Sequence, residues 1–76
     1  MTLAYVLINT ELGAEEEVKN KLKEMPEVKE VHRVYGVYDA VVKIEAESME
    51  KIRELITRRI RKMEKVRSTL TMIVTE

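Results

Sequence analysis

The residues best suited to chemistry lie in two short segments. The first is Val34-Tyr35-Gly36-Val37-Tyr38-Asp39, which sets a carboxylate where the chain enters the apolar run Ala40-Val41-Val42. A carboxylate there can accept from an ammonium group, or from local backbone donors as turn acids do. Gly36 leaves room for a ligand or a second backbone to come close. The second segment holds Thr69 and Thr71, two hydroxyls spaced to share a strand face, with Ser68 beside them. Taken alone, such threonines are also simply good strand formers. No nucleophile–base pair stands out, so no catalytic residue is assigned. With one histidine, His32, and no cysteine, a zinc site is out of reach and no metal or cofactor is expected.

Elements that could position these groups follow from the hydropathy pattern. Leu3 to Thr10 is apolar on both alternating sets, which predicts a strand buried on both faces at the centre of a sheet. Gly13 breaks the chain before a helix that opens on Glu15-Glu16-Glu17, acids favoured by the helix dipole. Its apolar stripe is Val18, Leu22 and Met25, and Pro26 ends it. Val28 to Tyr35 and Tyr38 to Ala46 read as two strands joined by Gly36-Val37 in a type II′ hairpin turn, pairing Tyr35 with Tyr38 and Val34 with Asp39. Ser48 can cap a second helix with the stripe Met49, Ile52, Ile56, Ile60 and Met63. A last strand runs from Val66 to Val74, with Ser68, Leu70, Met72 and Val74 on one face. Arg67, Thr69, Thr71 and Ile73 share the other, and the two threonines are expected on the side away from the helices.

The order β-α-β-β-α-β predicts an α+β, ferredoxin-like domain over residues 1–76: a four-stranded antiparallel sheet with two helices on one face. Two helices cover one face only, while the first strand asks for cover on both. A chain of 76 residues has a marginal core, and without disulfides or metal the remaining support is oligomerisation. A second sheet, most simply that of another copy, is expected on the bare face.

Charge narrows the partners. The formal net charge is zero, which removes any general attraction to nucleic acid. Arg58, Arg59, Arg61, Lys62, Lys65 and Arg67 nevertheless form a basic stretch opposed only by Glu64. It reads as a solvated helix end offsetting the C-terminal dipole, with a phosphate or nucleic-acid patch as the other reading. Abundant Glu, Lys and Arg with no Gln or Cys fit a thermophile protein. The short apolar start lacks a basic flank and a cleavage site, so no membrane association is expected and the location is cytoplasmic. The chain lacks the aromatic triplet, the Cys-x-x-Cys loop and the anion-loop arginine that RNA-recognition, copper-chaperone and phosphatase versions of the fold respectively need.

Three segments together resemble the effector (RAM) domain of the Lrp/AsnC family. They are Met25-Pro26-Glu27-Val28, the Val34–Asp39 hairpin running into Ala40-Val41-Val42-Lys43, and Val66-Arg67-Ser68-Thr69-Leu70-Thr71. The resemblance spans essentially the whole chain. It implies a dimer with sheets packed face to face, assembly of dimers into rings, often octamers, and a free amino acid bound where dimers meet. It further implies that Gly36, Val37, Tyr38 and Asp39 hold the ligand's α-amino and carboxylate groups, Asp39 taking the ammonium. Thr69 and Thr71, with Ser68, would add hydroxyls. Family members carry a helix-turn-helix domain before this module, whereas here Met1 directly precedes the first strand. The expected protein is therefore a stand-alone amino-acid-binding regulatory domain without direct DNA binding. It would act on transcription or amino-acid metabolism through partners such as full-length Lrp/AsnC paralogues. Two alternatives stay open: an ACT-like regulatory module, and a small ferredoxin-like enzyme with an interface active site.

Overall fold

Alternation along the first strand decides the layering. In the computed structural model, which describes residues 1–76, β1 (Thr2–Thr10) buries Ala4, Val6, Ile8 and Thr10 while the intervening residues stay half-buried. The remaining elements are α1 (Glu15–Lys23), β2 (Val28–Arg33), β3 (Ala40–Ala46), α2 (Met49–Leu55) and β4 (Val66–Ile73). All pairings are antiparallel and the strand order is β2-β3-β1-β4, so β1 is central as its two-sided pattern requires. The core gathers Ala4, Val6 and Ile8 of β1, Val42 and Ile44 of β3, and the helix residues Val18, Leu22, Ile52 and Ile60. Both helices thus cover one face of a ferredoxin-like α+β sheet.

Local chemistry explains most boundaries. Gly13 takes a positive φ of 86° to turn the chain into α1, whose first turn carries the three glutamates. Ser48 Oγ accepts from the Lys51 N–H at 3.3 Å and starts α2. α2 does not end as an α-helix: it widens into a π-helical turn, Ile56–Ile60, closed by the Arg61 N–H donating to the Ile56 carbonyl at 2.8 Å. The regular stripe therefore holds through Ile60, while Met49 is exposed and Met63 packs on the core from beyond the helix.

Two expectations need correction. The hairpin ladder stops at Arg33 and Ala40, leaving residues 34–39 as an open loop instead of a two-residue turn. The Val34 N–H still donates to the Asp39 carbonyl at 2.9 Å, so that register is right, but the Tyr35–Tyr38 pair does not form. Tyr35 is fully exposed, whereas Tyr38 and Asp39 are half-buried. The second correction concerns faces. Thr69 pairs with Ile8 and Thr71 with Val6, and paired residues share a face, so both threonines lie on the helix side. β4 is an edge strand and α2 packs on β3 and β1, which leaves polar residues on the helix side of β4 tolerably wet. The apolar set Leu70 and Met72 faces the bare side instead, opposite Leu7 and Tyr5.

Candidate functional site

Asp39 is held by the end of β1. Its N–H donates to the Ile8 carbonyl at 2.9 Å, and its Oδ2 accepts from the Thr10 N–H at 2.8 Å and the Thr10 hydroxyl at 3.5 Å. Thr10 is the one buried polar residue of the chain, so this carboxylate satisfies groups that would otherwise be costly to bury. The turn-acid role is thus real, and it uses only one carboxylate oxygen. Oδ1 takes no protein hydrogen bond and is left for another donor.

Asp39 borders a hollow of about 410 Å³ together with Glu15, Arg33, Val34 and Tyr35. Two acids and one guanidinium in a single hollow complement a zwitterion, since an ammonium and a carboxylate both find partners there. Glu15 and Arg33 were not singled out from the sequence. Glu15 looked like a dipole acid, and nothing local ties the start of α1 to the end of β2. Arg33 Nη1 also reaches Glu16 Oε2 at 3.5 Å, which links the same two elements. Gly36 has a φ of 128°, so its freedom from a side chain is needed for the backbone. Nothing lies within 4 Å of where its Cβ would be, and Tyr35 and Val37 at the tip stand in open space.

The seven expected residues fall into two groups. Gly36, Val37, Tyr38 and Asp39 sit at the β2–β3 loop. Ser68 and Thr69 line a separate hollow of about 340 Å³ with Arg61, Val66 and Arg67. Thr71 lines neither. β1 runs between the groups, and adjacent strands are about 4.8 Å apart, so they stand roughly 10 Å from each other across the sheet. Within one chain they do not make a single pocket.

The Lrp/AsnC ligand binding domain model matches residues 3–76. The chain belongs to that family. Over 72 residues it is 39% identical to the HTH-type transcriptional regulator FL11 of Pyrococcus furiosus, covering 95% of this chain and 47% of the regulator. The chain thus spans about half the length of the curated relatives it matches. The crystal structure of FFRP-DM1 superposes with a TM-score of 0.95 at 46% identity, covering 97% of this chain and 99% of that one. A Neisseria meningitidis transcriptional regulator, NMB0573, crystallised as an L-Met complex, shares the fold with a TM-score of 0.91 at 14% identity, covering 99% of this chain and 50% of that one. The matched curated relatives are themselves named HTH-type transcriptional regulators.

Proposed function

We propose that residues 1–76 form one amino-acid-binding regulatory domain of the Lrp/AsnC type, working by ligand binding and assembly, with no catalytic step. The observation that carries this reading is the Asp39 carboxylate. One oxygen is anchored on Thr10, the other takes no protein hydrogen bond, and Asp39 lines a hollow together with Glu15 and Arg33. The ligand's ammonium would bridge Asp39 and Glu15, and its carboxylate would meet Arg33 or the amides of the Gly36–Tyr38 loop. Ser68, Thr69 and Thr71 would reach such a ligand only from a neighbouring copy, which supports a homo-oligomer of dimers. A cytoplasmic regulator that co-assembles with longer Lrp/AsnC paralogues fits the 39% identity to the matched half of FL11.

Titration calorimetry of the common amino acids against the chain and its Asp39→Asn variant tests the reading. Asn keeps an oxygen for the Thr10 N–H, so the melting temperature should fall little. The lost charge-assisted bond is worth about 1.5–3 kcal/mol, one to two orders of magnitude in affinity. An Asn variant that binds every amino acid as the parent does would refute the site.

A further inference from the structure

The basic stretch is not uniform. Arg58 pairs with Glu54 one helical turn away, and Arg33 pairs with Glu16. Arg61 and Arg67 make no ion pair, yet both line the hollow of about 340 Å³ between the end of α2 and the start of β4. Its other walls are Val66, Ser68 and Thr69, and no carboxylate lines it. Two like charges facing one small hollow repel each other unless an anion joins them.

Both walls depart from regular backbone. The π-helical turn Ile56–Ile60 closes on Arg61, and such turns recur at functional positions. On the opposite wall the β1–β4 register shifts between Asn9 and Thr10: Asn9 faces Ser68 while Thr10 faces Val66. Arg67 is the extra residue of that bulge. In a regular ladder it would face buried Thr10. The bulge gives that place to Val66, which packs on the core, and releases Arg67 to solvent. Thr69 pairs with Ile8 and so turns its hydroxyl to the helix side, whereas Ser68 Oγ accepts from Asn9 Nδ2 at 3.2 Å on the opposite face.

We propose that this hollow is an oxyanion site for a phosphate group, free or carried as a small phosphate monoester, with Arg61 and Arg67 as its cations and the Thr69 hydroxyl as a donor. Two guanidiniums without a counter-charge match a dianion better than a monocarboxylate, which would leave one of them unpaired. Compensation of the α2 dipole does not account for the pair. Arg58 and Arg59 already occupy the last turn, and Arg67 belongs to a different element. Within one chain the hollow is separate from the Asp39 hollow, and its cations Arg61 and Arg67 take no part in the amino-acid reading.

The test is amide chemical-shift titration of the whole chain with sodium phosphate, glycerol 3-phosphate, acetate and chloride at constant ionic strength. Phosphate should give saturable shifts concentrated at Arg61 and Val66–Thr69, with a dissociation constant at least tenfold below that of acetate. Arg61→Gln and Arg67→Gln should each weaken phosphate binding tenfold or more at unchanged melting temperature, because both side chains are exposed; Arg58→Gln should not. Equal affinity for the two phosphates assigns the site to the phosphate group itself; tighter glycerol 3-phosphate assigns it to the ester. Acetate binding as well as phosphate, shifts spread over the whole Arg58–Lys65 stretch, or parent-like binding by Arg67→Gln would each overturn the proposal. So would duplex DNA binding that survives loss of Arg61 and Arg67 while phosphate binding is absent.

Discussion

The two faces of the sheet are built from the same strands and end up in opposite states. On the helix side, Ala4, Val6, Ile8, Val42 and Ile44 are all completely buried. On the other side, Leu3, Tyr5, Leu7 and Val41 stay half-exposed, and Leu70 and Met72 are each 46% exposed. The polar groups differ as well. The helix side buries one, Thr10, and satisfies it through Asp39. The bare side sets its polar groups at the margins, with Asn9–Ser68 at one end and the Glu30–His32–Lys43 cluster toward β2. An apolar centre inside a polar rim is how interfaces are organised. One face is finished by the chain's own helices; the other has the composition of a surface awaiting a partner, which supports pairing of two copies.

That contrast makes sharp predictions. The largest effect should come from Ile8→Ala. Truncating a fully buried aliphatic residue costs about 2–5 kcal/mol, and the loss should be the same at every protein concentration in urea denaturation. A loss below about 1 kcal/mol would mean the helix side is not the sealed face. Next is Leu7→Lys, one residue away and on the other face. Far-ultraviolet circular dichroism should stay native while the dimer dissociation constant rises at least tenfold in sedimentation equilibrium. A parent that sediments as a folded 8.9 kDa monomer at micromolar concentration would break the comparison at its root.

Much of this was legible in the residues and some was not. The two-sided alternation of Leu3–Thr10 predicts a central strand, and β1 is central. Ser48 and Gly13 mark helix starts for reasons local to the chain. What alternation cannot give is which face of an edge strand meets the helices. Thr69 and Thr71 were placed on the wrong side because apolar Leu70 and Met72 look like core, and on this strand they face outward. The Asp39–Thr10 link joins residues 29 positions apart, so no local motif announces it. The π-turn and the Arg67 bulge are choices of backbone hydrogen bonding that leave no mark in residue type.

The smallest effect belongs to the rim of the bare face. Glu30 accepts from His32 Nε2 at 2.9 Å and from Lys43 Nζ at 3.4 Å. The His32 hydrogen bond first, then the Lys43 hydrogen bond and charge, hold the Glu30 carboxyl below its ordinary value of 4.5. A carboxyl whose folded value is depressed binds protons less readily folded than unfolded. Its stabilising contribution is therefore complete above about pH 4.5 and is lost as pH falls through the lowered folded value. Glu30→Gln should lower the melting temperature slightly at neutral pH, and parent and variant should converge as pH drops below that range. Glu30 and His32 are exposed and Lys43 half-buried in the single chain, so screening keeps the effect small and added salt should shrink it further. If the bare face closes against a second copy, the rim is partly shielded. The gap between parent and Glu30→Gln should then widen with protein concentration and resist salt. A gap independent of concentration would mean that this cluster stays in water and that whatever covers Leu7 and Leu70 stops short of β2.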